Sequence, residues 1–357
     1  MLDVQQVVRV HSLDRPIRRA VESVLSDPRS GVIVVAHNVQ AAKLDLPDSD
    51  RIEIVELRGH EGLPGAASQA GVDAATAPWV GLLDSDDWYA PGALAAMQQR
   101  ASHDGADVVI APFHKQDKGR KSMLPTLRSR NLNPVRDGVF YRSAPFGIFR
   151  RELLQAARFD TTVKTGEDLQ VIAYLATSGG GISYYWNDPV YWLGTDLADR
   201  VTAQPRPVSE LGKAWNSVWD ADFVRKWDRA TRHAFAVKMA RQNIGQLIES
   251  RVSTNTWQPG ELEWMSSTIR RLRAEDKYFD RPLLAHTARL LRLIEAEDFD
   301  ALDREKGLVR GRLPLNPASV LLERETDIRR NAVMYLARLK EDLGSRAGKL
   351  RRSSARK

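Results

Sequence analysis

The sequence predicts an α/β fold built on a mostly parallel sheet, followed by an all-helical C-terminal domain. Three observations support this: apolar strands alternate with helices over the first 110 residues, most of these strands are nearly continuous apolar runs, and only helical periodicity remains beyond about residue 205. Such strands are typical of parallel sheets whose two faces are both covered by helices. We therefore predict a first domain over residues 1–205 and a helical second domain over 206–357.

The first strand–helix unit is the clearest. The apolar run Val7–Val10 predicts a strand, and the following residues Ile17–Leu25 place apolar side chains at helical spacing. Further strands are predicted at residues 32–35, 52–55, 79–83 and 108–110. Helices are predicted over the alanine-rich residues 66–75 and after Pro91. This order repeats the unit from which parallel sheets are built.

The remaining sequence changes character twice. Residues 112–138 are polar and basic, and we predict a long surface excursion there. After Pro205, helical periodicity covers residues 209–250, 260–296 and 318–343. No catalytic motif is readable in these helical segments.

Composition excludes several classes of protein. None of the 357 residues is cysteine, so disulfide frameworks and thiolate chemistry are excluded. No secretory signal pattern opens the chain and no apolar run is long enough to span a bilayer, so we expect a cytoplasmic protein.

The chain carries a formal net charge of +7, and its basic excess is concentrated at the C-terminus. Beyond Gly344 there are six basic residues and no acidic one. Such a tail suits an anionic membrane surface at the inner face of the membrane, or a polyanionic acceptor. A frayed, solubilising terminus is the alternative. No nucleic-acid partner is expected.

The motif with the most chemical content is Asp84-Ser85-Asp86-Asp87, directly after a predicted buried strand. Open α/β sheets bind their ligands at the carboxyl ends of the strands. Carboxylate oxygens are the preferred ligands of Mg²⁺ and Mn²⁺, which commonly hold diphosphates. The alternative is an acidic turn in which Ser85 or Asp87 caps the next helix.

In the order of its motifs, the chain resembles family 2 glycosyltransferases of the GT-A fold over about residues 5–205. The series comprises Val7–Leu25, Val32–Asn38, the glycine-rich Gly62–Ala67, Asp84-Ser85-Asp86, Phe149-Arg150-Arg151, Phe159-Asp160 and Gly166-Glu167-Asp168. Such an ordered series is more specific than any of its members.

The resemblance implies roles for the acidic residues. Asp86 would bind the metal ion, Mn²⁺ or Mg²⁺, and Asp84 would contact the ribose or a metal-bound water. Asp168 would be the general base that accepts the proton of the acceptor hydroxyl, with Glu167 shaping the acceptor pocket. A helix N-terminus, where acidic residues suit the helix dipole, is the alternative reading of Glu167 and Asp168.

Further residues complete the predicted donor site: Ser85, His11, Asn38 and Gly62. Asp87 is a possible additional ligand. The family histidine expected after Trp192 is missing, and Asp196 stands nearby as a possible substitute.

The predicted function is therefore metal-assisted, inverting transfer of a sugar from a nucleotide diphosphate sugar, which we expect to be UDP-linked. The acceptor would be a hydroxyl of a cell-surface glycan or of its lipid-linked precursor. One general base and no second nucleophilic carboxylate point to a single displacement. Two alternatives stay open: a nucleotidyltransferase on the same fold, and a catalytically degenerate module that binds polyanions or membranes.

Overall fold

The computed structural model describes residues 2–116, 121–122, 124–142, 144–195, 206–254, 256–283 and 285–305. The predicted helix at 318–343, the basic tail after Gly344, the predicted boundary at residue 205 and Asp196 lie outside these ranges. The predictions for them remain predictions.

The described chain forms eleven strands. They are β1 (Val4–Val10), β2 (Ser30–His37), β3 (Ile52–Leu57), β4 (Trp79–Asp84), β5 (Trp88–Tyr89), β6 (Val108–Ile110), β7 (Phe113–Lys115), β8 (Lys121–Ser122), β9 (Gly147–Arg150), β10 (Ile182–Tyr184) and β11 (Tyr191–Leu193).

Seven strands form the main sheet, in the order β10-β6-β9-β4-β1-β2-β3. Every pairing in this sheet is parallel except those of β9, which runs antiparallel to β4 and β6. The predicted mostly parallel sheet is thus confirmed. The antiparallel strand was not predicted.

The helices of the first two hundred residues cover this sheet. They are α1 (Ile17–Leu25), α2 (Pro64–Ala74), α3 (Ala93–Asp104), α4 (Arg151–Ala157) and α5 (Leu169–Ser178). Val21 and Val24 of α1 are fully buried in the core that β1 and β2 share with α3. Burying a side chain of this size contributes about 1.5–3 kcal/mol relative to leaving it exposed. The apolar stripe read from the sequence is therefore the face that packs on the sheet.

The second sheet was not predicted. Its four strands follow the order β5-β11-β7-β8, and two of them, β7 and β8, come from the segment predicted as a surface excursion. Leu124 and Leu132 of that segment are also buried. The prediction for residues 112–138 is therefore wrong in part: basic side chains dominate the composition, but they alternate with residues that pair and pack.

The chain divides into two compact units. Among the described residues, the first unit comprises those up to Ser122 together with Ser129–Arg136 and Arg142–Arg229. The second unit comprises Met123–Arg128, Asp137–Tyr141 and the residues from Ala230 onward. Helix α6 (Val208–Asp220) falls in the first unit.

The second unit is helical. It contains α7 (Arg229–Lys238, beginning at the boundary), a π-helical segment (Met239–Gly245), α8 (Gln246–Thr254), α9 (Glu261–Glu275), α10 (Ala285–Glu295) and α11 (Phe299–Arg304). The helical character of the C-terminal part is confirmed, although the periodicity read as one run over 209–250 is divided between several helices. Within the described residues, no helix combines the length and apolarity needed to cross a membrane.

Candidate active site

The acidic motif lies where the sheet was expected to bind a ligand. Asp84 ends β4, and a tight turn follows in which the Asp87 amide donates to the Asp84 carbonyl at 3.0 Å. Ser85, Asp86 and Asp87 are buried, whereas the Asp84 side chain is 44% exposed. Of the three carboxylates, Asp84 is therefore the one most open to solvent.

Arginine side chains bind two of these carboxylates. Arg9, near the end of β1, forms an ion pair with Asp84. An Arg15 terminal nitrogen, Nη1, lies 3.1 Å from Oδ2 of Asp86. Arg19 of α1 donates to the Asp86 carbonyl at 2.5 Å. No role was predicted for these arginines, because the sequence around an arginine in a strand or a helix does not reveal its partner.

Asp87 joins the motif to the second sheet. Its carboxylate accepts hydrogen bonds from the Tyr191 hydroxyl and, at 2.7 Å, from the Gly194 amide. Burial and the neighbouring charge of Asp84 raise the pKa of Asp87, whereas the Tyr191 and Gly194 hydrogen bonds oppose the shift. Both oxygens are thus engaged in holding β11 in place, and ligation by Asp87 stays a prediction.

The Glu167–Asp168 pair opens α5. Asp168 occupies the N-cap position, but its side chain makes no capping hydrogen bond. Burial and the charge of Glu167 raise the pKa of Asp168 to about 8, while Arg9 lowers it. A carboxyl group with a pKa near neutral suits a general base, since proton transfer is most efficient when the pKa is close to the working pH. The pair thus lies at a helix N-terminus, as the alternative reading expects, although Asp168 forms no capping hydrogen bond; this position is compatible with a role as general base.

Arg9 brings the two predicted groups of acidic residues together. One terminal nitrogen, Nη1, donates to the Ser68 hydroxyl at 2.7 Å and lies 3.1 Å from Oε1 of Glu167, while the other, Nη2, binds Asp84. Burial would lower the pKa of the guanidinium, but the charges of Asp84 and Glu167 raise it. Arg9 and Glu167, which meet here, lie 158 positions apart in the sequence.

A glycine makes this arrangement possible. A Cβ atom at Gly65, in the first turn of α2, would lie 2.2 Å from the Asp160 carbonyl oxygen and 3.1 Å from the Glu167 Cβ. No other residue type fits there without displacing the loop that carries Glu167.

The sequence of this region matches a known family. Residues 15–157 match the model of glycosyl transferase family 2. The resemblance read from its motifs is confirmed.

Two curated relatives act in the same kind of process. The succinoglycan biosynthesis protein ExoO of Rhizobium meliloti is 31% identical over 201 residues, which cover 50% of this chain and 57% of that protein. ExoU, a succinoglycan biosynthesis protein of the same organism, is 26% identical over 203 residues, covering 50% and 58%. The chain therefore spans little more than half the length of these relatives.

Solved structures confirm the GT-A fold. The crystal structure of residues 1–349 of S. aureus TarS in complex with UDP-GlcNAc superposes with a TM-score of 0.70 at 14% sequence identity. The match covers 87% of this chain and 93% of that one. At this level of identity the likeness concerns the fold alone.

The other predicted donor residues of this family 2 domain lie after the first strands. His11 follows β1 and is exposed, with its Nε2 3.5 Å from an Arg15 nitrogen. Asn38 follows β2 with a φ of 58°, and its amide group exchanges two hydrogen bonds of 2.9 Å with the Gly59 backbone. Gly62 sits in the next turn with a φ of 68°. Their contacts with a donor stay predictions.

The described residues contain no group of three or more His, Cys, Asp or Glu side chains arranged to hold a metal ion. Mg²⁺ is usually held by one or two carboxylates together with substrate phosphates, so a cluster of three protein ligands is not required. Asp84 and Asp86 supply oxygen ligands of the right chemistry at the strand ends, one of them accessible to solvent. These residues fit a diphosphate-bound Mg²⁺ or Mn²⁺.

Proposed function

We propose that this chain transfers a sugar from a nucleotide diphosphate sugar, UDP-linked, to a hydroxyl of a cell-surface glycan or its lipid-linked precursor. One observation carries the proposal: Arg9 joins the donor-side Asp84 to the Glu167–Asp168 pair, so that diphosphate chemistry and a candidate base meet at one strand edge. The choice of substrate class is supported by the similarity to the succinoglycan biosynthesis proteins ExoO and ExoU and by the UDP-GlcNAc complex of TarS.

On the donor side, Asp86 would bind the divalent metal, and Asp84 would contact the ribose or a metal-bound water. Once bound, that ion would supply positive charge for the departing diphosphate. Arg15 and Arg19 add fixed positive charge beside Asp86. Preorganised charge of this kind stabilises a leaving group without reorganisation during the reaction.

On the acceptor side, Asp168 acts as the base. Its carboxylate accepts the proton of the acceptor hydroxyl as that oxygen forms its bond to the anomeric carbon and the bond to the diphosphate oxygen breaks. A single displacement of this kind inverts the anomeric configuration. Glu167, held by Arg9, borders the acceptor side of Asp168.

The test is metal-dependent stabilisation by the donor. UDP and a panel of nucleotide sugars are added with Mn²⁺, with Mg²⁺ or with EDTA, and the melting temperature is measured. We expect a rise of several degrees with metal, because a ligand at 100 times its Kd stabilises by roughly 2.7 kcal/mol. Asp86→Ala should remove the difference between metal and EDTA.

Two outcomes would contradict the proposal. Equal stabilisation with metal and with EDTA would rule out the metal assignment. Donor binding without any release of UDP, whatever glycan acceptor is tried, would instead favour the degenerate binding module.

The basic residues beyond Gly344 are proposed to bind an anionic membrane surface. A chain that ends at Gly344 should sediment less with phosphatidylserine vesicles than the full chain, and the difference should vanish in high salt because the attraction is screened. Equal sedimentation would make the tail a passive terminus.

A further inference from the structure

Arg9 is a charged residue in a strand whose other side chains are mostly buried. Val8 and Val10, on either side of it, have no exposed surface, and the Arg9 side chain is only 19% exposed. Removing a charge from water costs several kcal/mol unless its partners compensate. Two carboxylates and one hydroxyl provide that compensation here.

The partners of Arg9 come from three different elements. Asp84 is its directly opposite neighbour in the parallel pairing of β1 and β4. Ser68 belongs to α2, and Glu167 to the loop before α5. The planar guanidinium carries five donors in a rigid fork, so it can satisfy several partners at set angles, which a lysine ammonium cannot. Arg9 therefore acts as a rigid link between the donor side and the acceptor side.

Asp168 lies beside the residue that Arg9 holds. Its carboxylate accepts a hydrogen bond from its own backbone amide but caps no other amide of α5, and the adjacent Glu167 forms the ion pair with Arg9. The charged groups that act on Asp168 are Glu167 in its own loop, Arg9 on β1 and Asp84 on β4. Of these, Arg9 alone is positive.

We propose that Arg9 is a positioning residue that sets the geometry and the charge of the Asp168 base by linking Asp84 to Glu167. The proposal rests on the proposed function, in which Asp168 accepts the acceptor proton. Arg9 itself touches neither the hydroxyl nor the anomeric carbon in this scheme.

The first experiment needs no activity. Melting temperatures of the wild type, Asp168→Asn, Arg9→Gln and the double variant are measured from about pH 4 to pH 10. Asp168→Asn removes the titratable group. The difference in melting temperature between this variant and the otherwise identical protein that keeps Asp168 should therefore grow with pH and reach a plateau near the pKa of Asp168. In the Arg9→Gln background we expect that plateau at least about one pH unit higher, because a nearby opposite charge lowers a carboxyl pKa by roughly 1–3 units.

Arg9→Lys separates charge from geometry and is the variant more certain to fold. It keeps the positive charge, so the melting-temperature difference caused by Asp168→Asn should reach its plateau at the same pH as in the protein with Arg9. Release of UDP from UDP-GlcNAc should fall about 10²-fold, since a misplacement of about 1 Å costs that much. Stabilisation by UDP with Mn²⁺ should remain within a few-fold of wild type.

The matched control is Arg51→Lys. Arg51 lies at the opposite end of the sheet and donates to three backbone carbonyls at 2.7–2.9 Å. Its replacement should lower the melting temperature without moving the pH plateau or the rate of UDP release per folded molecule.

Two results would overturn the proposal and leave Arg9 a structural ion pair. One is a plateau at the same pH in Arg9→Gln as in wild type. The other is a rate of UDP release that falls no more in Arg9→Lys than in Arg51→Lys. A wild-type protein that releases no UDP contradicts the proposed function instead, and the pH plateau then decides on Arg9 by itself.

Discussion

Two arginines that are largely or fully withdrawn from solvent, Arg9 and Arg142, have opposite surroundings. Arg9, beside the ends of β1 and β4, is bound by the carboxylates of Asp84 and Glu167. Arg142 is 3% exposed, and its guanidinium lies 4.8 Å from the centre of the Phe113 ring and 5.6 Å from that of Tyr184. No residue in the described part of the chain forms an ion pair with it.

The difference is visible in the direction of the pKa shifts. The charges of Asp84 and Glu167 raise the pKa of Arg9 in spite of burial, whereas burial lowers that of Arg142. At the β6–β10 end, the guanidinium lies over two aromatic rings and has no carboxylate partner among the described residues. At the β1–β4 end, like charges are held close together and need a cation between them. Only the second arrangement is typical of a catalytic site.

The comparison predicts its largest effect at Asp168. Asp168→Asn keeps the size of the side chain but removes the basic oxygen, so sugar transfer should fall on the order of 10²–10⁴-fold. Binding of UDP with Mn²⁺, measured by calorimetry, should be nearly unchanged because Asp168 does not touch the Asp86 side of the site. If the variant folds, binds UDP and transfers at the wild-type rate, Asp168 has no part in the mechanism.

A smaller effect is expected from paired substitutions of the two arginines. Arg9→Met leaves two carboxylates without their cation and should destabilise by up to about 3 kcal/mol, the lower part of the range for a broken buried pair since Asp84 is partly exposed. Arg142→Met should be neutral or stabilising, because exchanging an unpaired buried charge for an apolar side chain of similar volume removes a desolvation cost.

Urea unfolding of both variants measures this contrast. Equal losses of stability in Arg9→Met and Arg142→Met would break the comparison, since they would show that the rings around Arg142 compensate its charge as fully as carboxylates do.

A third expected effect is a pH dependence of stability. The folded pKa of Asp168 is raised to about 8 from an ordinary value of 3.8, so the folded state holds the proton more tightly than the unfolded state. The stability that this proton contributes is present below the unfolded pKa and is lost as pH rises towards the folded pKa. Asp168→Asn should therefore melt together with wild type near pH 4 and a few degrees higher at pH 8. A constant difference over this window would contradict the raised pKa.

Much of this site could be predicted from the sequence, because its parts are local. The apolar strands β1 to β4 and the acidic turn after β4 follow from hydrophobic pattern and motif alone. The arginines could not be paired in advance: Arg9 meets Glu167 only because the fold brings β1 and the start of α5 together. The second sheet was missed for a related reason. Strands of two or three residues, such as β5 and β11, are too short for a readable period, and tertiary pairing alone defines them.

The absence of space at Gly65 has a consequence for how such domains can recombine. Because the first turn of α2 lies against the Asp160 carbonyl and the Glu167 side chain, that helix and the loop before α5 are complementary surfaces that change together or not at all. A chimera that takes α2 from one relative and the Asp160–Glu167 loop from another would bring together two halves that had not been selected as a pair. Functional grafts between members of this family should therefore exchange both segments as one module, although about ninety residues separate them in the chain.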